Sequence, residues 1–329
     1  MKNLMNEVDN VLAESLDGFA AAHADIVVLS PEREFVRRKR SKPGKVALIS
    51  GGGTGHEPLH AGFVGHGMLD AACPGQIFTS PTPNQMINAA QAVDGGAGVL
   101  FIVKNYSGDM MNFEMAAEML EQENAIVIVN DDVAIEDSTY TTGRRGVAGT
   151  LILEKILGAA AERGDGLAAL KALGMAVNKA TASMGVALSS CTVPAAGKPT
   201  FQIGPNEMEV GVGIHGEPGR YRAPLASANA IAEELVGCVA KDLALKPDQE
   251  ILLLVNGFGG TPLLELYLMV HAATKVLQKS GVKVVRHLTG SYVTSLEMAG
   301  CSITATVMEP AWLTLWDAPV HTPALRWGM

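Results

Sequence analysis

Lys45-Val46-Ala47-Leu48-Ile49-Ser50-Gly51-Gly52-Gly53-Thr54-Gly55-His56 is the stretch that decides the fold. An aliphatic run with no polar residue inside it reads as a short strand covered on both faces, and the glycines behind it let the chain turn at once. The pattern recurs. Residues 98–103, Gly-Val-Leu-Phe-Ile-Val, run into Lys104-Asn105-Tyr106-Ser107-Gly108-Asp109, and residues 125–129 run into Asn130-Asp131-Asp132. After the second of these loops Phe113, Ala116, Ala117 and Leu120 fall on one face of a helix. Apolar strands alternating with helices imply a buried, largely parallel sheet, in which ligands bind at the carboxyl ends of the strands. The polar loops just quoted lie at that edge.

Outward from there, the spacing predicts helices over residues 147–163 and 167–178. The small, polar stretch Thr181-Ala182-Ser183-Met184-Gly185 reads as a soft boundary. Beyond it residues 186–188, 209–213, 251–255, 282–286 and 302–307 read as strands, with a helix from about 263 to 278 between two of them. The expectation is two α/β domains, 1–182 and 183–329, with largely parallel or mixed sheets and the active site at strand-end loops between them. The unit as a whole runs from about 7 to 329.

The composition fits a soluble globular protein. Of 329 residues, 48% are apolar, which excludes a disordered chain, and 18% are charged. Twenty-five basic against 34 acidic residues leave a net charge of −9, which disfavours nucleic acid and anionic membranes as partners. The one basic cluster, Arg37-Arg38-Lys39-Arg40-Ser41-Lys42, has no aromatic residue interleaved and reads as a solvated loop. Cys73, Cys191, Cys238 and Cys301 form no Cys-x-x-Cys motif, and read as small hydrophobes in a reducing compartment. The first residues turn acidic without an apolar core, and no stretch approaches the length of a membrane span, so a cytoplasmic location is expected.

Several motifs carry chemistry. The loop at 51–56 is not a P-loop, because the Gly-Lys-Ser/Thr ending is missing. His56-Glu57-Pro58-Leu59-His60 has the spacing of a zinc-peptidase helix, but Gly55 precedes it and Pro58 interrupts it, so no metal is expected there. Gly211-Val212-Gly213-Ile214-His215-Gly216 has the spacing of a dinucleotide fingerprint. Glu217-Pro218-Gly219 follows it, which is turn chemistry rather than a helix start. What remains is one histidine, His215, in a glycine-lined turn. Lys104 and Asp109 share a loop and suit binding and deprotonating a hydroxyl, with a surface ion pair as the plainer reading. The acidic stretch Asp131-Asp132 and Glu136-Asp137 reads as helix caps facing solvent rather than a metal site. Asn256-Gly257-Phe258-Gly259-Gly260-Thr261-Pro262 suits an anion on the one hand and packing or a subunit contact on the other equally, with Pro262 at a helix start.

Taken together these motifs resemble one family, the substrate-binding K subunits of dihydroxyacetone kinases. The stretches GGGTGHEP, AACPGQIFTSPTP, KNYSGDMMNF, NDDVA, TGRRGVAGT, CTVPAAGKP, EVGVGIHGEPG, TPLLELY and LTLWDAPVHTPALRWGM carry the resemblance, in order, over nearly the whole chain. The resemblance implies that His215 adds to the ketone carbon of dihydroxyacetone to give a covalent hemiaminal. It implies that His56 assists proton transfer and that Asp109 accepts the proton of the hydroxyl to be phosphorylated. Gly53, Thr54, Gly55, His56, Lys104 and Asp109 would bind the substrate. Thr54 stands where the family has Ser, and Ser107 where it has Thr; both keep the hydroxyl.

The resemblance further implies a phosphoenolpyruvate-dependent kinase subunit of glycerol metabolism, active only with partners. The chain stops soon after the match, so ADP or ATP and Mg are expected on a partner L subunit and no cofactor on this chain. That subunit is recharged by a phosphotransferase-system phosphocarrier (M) protein, and a homodimer is expected. Two alternatives stay open: a non-catalytic ketose-binding sensor paralogue, and a kinase subunit for a related ketose such as erythrulose.

Overall fold

The computed structural model of the chain describes residues 3–135 and 143–329. The chain forms two units. The first comprises Met1–Val129, Thr150–Ala176 and Ala311–Met329, the second Asn130–Gly149 and Val177–Pro310.

The first unit holds a six-stranded sheet: β1 (Val27–Leu29), β2 (Val36–Arg38), β3 (Ala47–Thr54), β4 (Ala71–Ile77), β5 (Val99–Lys104) and β6 (Asn124–Val129), in the order β1-β2-β4-β3-β5-β6. The last four in that order are parallel, and β1 and β2 continue the edge in antiparallel fashion. Among the helices are α1 (Val11–Ala22), α2 (Pro83–Val93), α3 (Ser107–Met119), α4 (Gly149–Arg163) and α5 (Leu167–Lys179). Each of the three expected strands of this sheet is present, and Ile49, Phe101 and Val103 bury one side against Phe113 and Ala116 of α3 and Met86 and Ala90 of α2. A capping box between Thr82 and Gln85, with Pro83 opening the helix, fixes the start of α2. Because β4 lies on one side of β3 and β5 on the other, the loops after β3 and β5 leave the sheet side by side, at a topological switch point.

The basic cluster differs from its reading as a solvated loop. Arg37 and Arg38 lie in β2, and Arg38 is buried with Nη1 3.1 Å from Asp70 Oδ1 and 2.5 Å from Glu162 Oε1. Paired carboxylates, absent from the local sequence, are what allow a guanidinium inside.

The second unit holds β7 (Thr181–Ala187), β8 (Glu207–Val210), β9 (Tyr221–Pro224), β10 (Glu250–Gly257), β11 (Lys283–Gly290) and β12 (Gly300–Val307), in the order β11-β10-β12-β7-β8-β9. Only β10 and β11 pair in parallel. Helices α6 (Ala228–Asp242) and α7 (Leu263–Lys279) bury Leu235, Val239, Leu266 and Ala273 with Met184, Leu253 and Ile303 of the strands. Pro262 is the cap residue before α7 rather than its first residue. Both sheets are thus mixed.

The stretch Thr181–Gly185, read as a boundary, is the start of the fully buried strand β7. Its hydroxyls are satisfied internally. Thr181 Oγ1 donates to Val177 O at 2.8 Å, and Ser183 Oγ pairs with Thr304 Oγ1 at 2.6 Å. The tail, with α8 (Pro310–Asp317), β13 (Val320–His321) and β14 (Arg326–Trp327), belongs with the first unit, where His321 N–H donates to His66 O at 3.0 Å. Among the described residues no helix is long and apolar enough to cross a membrane.

Candidate active site

In the first unit β3 runs straight through its glycines. A Cβ on Gly51 would lie 2.6 Å from Cys73 O, one on Gly53 2.6 Å from Thr79 N, and one on Gly52 2.3 Å from Lys104 Nζ. The glycines are therefore required by close approach, and at Gly52 what approaches is a lysine head group. Lys104 ends β5 and is fully buried. Its Nζ is 3.3 Å from Gly51 O, 3.1 Å from His60 Nε2 and 3.4 Å from Asp109 Oδ2. Asp109 sits in the first turn of α3, where a carboxylate is favoured by the helix dipole, and is itself buried. Lys104 and Asp109 thus form a buried pair, and the surface ion pair is excluded.

His60 Nδ1 is in turn 2.6 Å from Glu154 Oε1, a fully buried carboxylate on α4. Burial, with the charges of Lys104 and His56 adding, holds the His60 imidazole well below its ordinary pKa; burial also pushes Glu154 well above the usual carboxylate range, against the pull of Lys104 and a hydrogen bond from Ser50. The local sequence marks His60 only by the spacing of a zinc ligand, and it does not mark Glu154, which lies in a helix far along the chain. Residues 56–60 form turns rather than a helix, so the two histidines do not share a helical face. Among the described residues no group of histidine, cysteine and carboxylates is placed to hold a metal ion.

His56 is buried, its ring stacked on Phe78 at 5.0 Å and 18°. Gly55, at φ +104°, makes the turn that delivers it, and its N–H donates to Glu57 Oε2 at 2.9 Å. Burial raises the pKa of Glu57. The Thr54 hydroxyl donates to Gly75 O at 2.6 Å, which leaves its oxygen lone pairs to accept. A cavity of about 450 Å³ opens onto Gly53 and Thr54, walled by Leu16 and Phe19 of α1, by Pro58 and by His60. The structure therefore brings Gly53, Thr54, Lys104 and Asp109 to one region of the first unit, with His60 and Glu154 beneath them.

His215 belongs to the second unit, in the turn that follows β8. No helix starts at Gly211–Gly216, as the turn chemistry demands, and Gly211 and Gly216 have φ of +81° and +76°. His215 Nδ1 is 2.9 Å from Glu217 Oε1, and its backbone N–H donates to Glu217 Oε2 at 2.9 Å. One carboxylate thereby fixes both the ring and its backbone. Burial alone would raise the pKa of Glu217, but the charge and hydrogen bond of His215 and the charge of Arg145 hold it down at about 2. Arg145 is buried and anchored by Nε–Asp132 Oδ2 at 2.8 Å and Nη2–Gly211 O at 2.8 Å. A Cβ on Gly213 would strike Glu217 and Arg145, so this glycine makes room for the pair. Glu217 stands two residues from His215, and the sequence alone marks it only as part of a turn.

Asp131 and Asp132 are buried rather than solvated. Asp131 accepts the N–H groups of Val147 and Gly149 at 2.8 and 2.7 Å, where α4 begins, and Asp132 pairs with Arg145. Glu136 and Asp137 lie outside the described residues. The 256–262 loop is tied into its unit by hydrogen bonds: Asn256 Oδ1 accepts from Tyr292 N and Val293 N at 2.9 and 2.8 Å, and Thr261 Oγ1 donates to Gly300 O at 2.8 Å. Three of the four cysteines are buried, Cys238 partly, and all are free thiols.

Comparison with known proteins agrees with this arrangement of motifs. The profile of the Dak1 domain matches residues 17–324. The Escherichia coli (strain K12) protein named "PEP-dependent dihydroxyacetone kinase, dihydroxyacetone-binding subunit DhaK" is 47% identical, with all of both chains covered. Among solved structures, the dihydroxyacetone kinase of C. freundii in complex with AMP-PNP and Mg2+ has a TM-score of 0.90 at 34% identity, covering 99% of this chain and 61% of that one. The dihydroxyacetone kinase operon co-activator Dha-DhaQ also has a TM-score of 0.90, at 33% identity, covering 97% of this chain and 98% of the other. A chain matched by the Dak1 profile from residue 17 to residue 324, and by a relative along its full length at nearly half of all positions, belongs to the Dak1 family.

Proposed function

We propose that the chain is the dihydroxyacetone-binding subunit of a phosphoenolpyruvate-dependent dihydroxyacetone kinase, holding its substrate as a hemiaminal on His215. The observation that carries this reading is the His215–Glu217 pair. Glu217 accepts the Nδ1 proton, which leaves the Nε2 lone pair as the nucleophile. That pair forms a bond to the ketone carbon as the C=O π electrons move onto oxygen. The oxygen takes up a proton, delivered with the help of His56, while the acidified Nδ1 proton is drawn to Glu217. Glu217 passes that proton on to solvent as the oxygen takes one up through His56, so the net proton count does not change. Only a carbonyl compound reacts, so glycerol is rejected for want of a carbon to attack. Gly53, Thr54 and Gly55 hold the hydroxyls; Lys104, expected to join them, directs its three protons at Gly51 O, His60 Nε2 and Asp109 Oδ2 and acts through Asp109, which accepts the proton of the hydroxyl that attacks the phosphoryl group.

Nucleotide and Mg are assigned to a partner L subunit, recharged through a phosphocarrier, and the chain itself to a homodimer. The full-length likeness to a relative named as a binding subunit of a phosphoenolpyruvate-dependent enzyme supports partner subunits; the nucleotide, Mg, phosphocarrier and homodimer rest on the resemblance alone. A second reading, a ketose-binding sensor, is favoured by the likeness to a co-activator, but at lower identity than to the kinase subunit. Erythrulose, with the same carbonyl chemistry, is an alternative substrate.

The test is carbon NMR with dihydroxyacetone labelled at the ketone carbon, followed by turnover with a partner subunit. The ketone signal is expected to vanish in the wild type and to persist in His215→Ala. An unchanged signal in the wild type overturns the adduct, and an adduct without turnover gives the sensor reading.

A further inference from the structure

The Lys104 ammonium carries three protons, and its neighbours Gly51 O, His60 Nε2 and Asp109 Oδ2 offer three acceptors at 3.3, 3.1 and 3.4 Å. An ammonium only donates, so His60 Nε2 must accept. The ring proton therefore lies on Nδ1, and Glu154 Oε1, 2.6 Å away, must accept it. This follows whichever protonation state Glu154 adopts, because a carboxyl group keeps an acceptor oxygen in both. The neutral state of His60, favoured by its burial, is the state this chain of donors needs.

Nothing about packing asks for such a set. A carboxyl, an imidazole and an ammonium buried together cost desolvation that aliphatic side chains would avoid. The fold also gives up a side chain for them. A Cβ on Gly52 would lie 2.3 Å from Lys104 Nζ and 3.5 Å from His60 Nε2. The buried row ends at Asp109, and it starts on α4, about 50 residues beyond Lys104 in the chain.

We propose that Glu154 and His60 are positioning residues for phosphoryl transfer: Glu154 fixes the His60 tautomer, His60 fixes the Lys104 ammonium, and Lys104 holds the Asp109 carboxylate in place for the proton it receives. The proposal rests on the reading of Asp109 as the base. It assigns the pair no hydrogen bond to the ketose, since both ring nitrogens of His60 are engaged, so its loss slows the transfer step and leaves the hemiaminal on His215 intact.

The experiment is a double-mutant cycle in the reconstituted kinase, with kcat, KM for dihydroxyacetone and the carbon NMR adduct signal measured for each variant. His60→Leu and Glu154→Leu are expected to lower kcat about ten- to a hundred-fold, the size of effect that misplacing a catalytic group produces, with KM and adduct nearly unchanged. His60→Gln, whose side-chain oxygen can still accept from Lys104, and Glu154→Gln, which still accepts from Nδ1–H, are expected to recover most of the loss. In a Lys104→Met background His60→Leu should change kcat no further, because the link it acts through is already cut. A folded His60→Leu protein with wild-type kcat, or losses that multiply in the Lys104→Met double variant, overturns the proposal. If the leucine variants do not fold, the same cycle run with His60→Ala, which also offers Lys104 no acceptor, decides by the same criterion. Asp109→Asn separates the two levels. Full turnover in that variant removes the base assignment itself. An inactive Asp109→Asn beside a fully active His60→Leu removes only the positioning pair.

Discussion

Replacing Glu217 by Gln tests the carboxylate that aims His215, and its effect can be sized from the structure. The folded pKa of about 2 lies below the ordinary 4.5, and at about 1.4 kcal/mol per pH unit the difference amounts to about 3 kcal/mol. Because the folded value is the lower one, the stabilisation is complete only above pH 4.5 and is lost as pH falls towards 2. Glutamine does not titrate, so it loses this dependence. Urea unfolding followed by circular dichroism should give a gap between wild type and Glu217→Gln of about 3 kcal/mol at pH 5.5 and about half of that at pH 3. The carboxamide oxygen still accepts from Nδ1–H, so the variant should form the adduct, more slowly than the wild type. Glu217→Leu, which cannot fix the tautomer, should form it poorly. An equal gap at the two pH values, or an undiminished adduct in Glu217→Leu, would refute the reasoning.

Two further outcomes are expected. Gly52→Ala places a methyl group 2.3 Å from Lys104 Nζ, and it should leave the fold largely intact while lowering kcat by about ten-fold or more; wild-type kcat in a folded Gly52→Ala protein would show that Lys104 need not sit where it does. Lys155 is buried, its Nζ donating to Leu315 O at 2.8 Å, and burial lowers its pKa to about 8 despite the charge of Asp317. The unfolded chain then holds the extra proton between pH 8 and 10.5, so this lysine should make stability rise with pH across that window, by about 3 kcal/mol, a rise that Lys155→Met should lack in parallel unfolding curves.

The central strands of the first unit were legible because a buried parallel strand must be apolar on both faces, and residues 46–49 and 99–103 satisfy that without help from the rest of the chain. Residues 181–185 are equally buried and are not legible as strand, because Thr181 and Ser183 are polar until Thr304 and Thr306, more than 100 residues away, supply partners for their hydroxyls. Arg38 follows the same rule. It reads as solvent-facing until Asp70 and Glu162 stand beside it. A polar residue inside a fold carries no local mark of burial, since what makes burial tolerable is a partner that sequence distance conceals.

The same rule separates the residues of the candidate site that sequence could single out from those it could not. His56 and His215 stand in glycine-marked turns, Lys104 ends β5 and Asp109 opens α3, all close to strand ends, where a glycine-rich local sequence draws attention to them. Glu154 sits inside a helix with Leu151, Ile152, Leu153, Ile156 and Leu157, all buried, and only the third dimension turns it towards His60. Residues that would meet a substrate lie at the strand ends, whereas a residue that acts through another can lie wherever the core brings it. A search for the remaining functional groups of this site should therefore begin with buried polar side chains in otherwise apolar helices, each judged by what it touches.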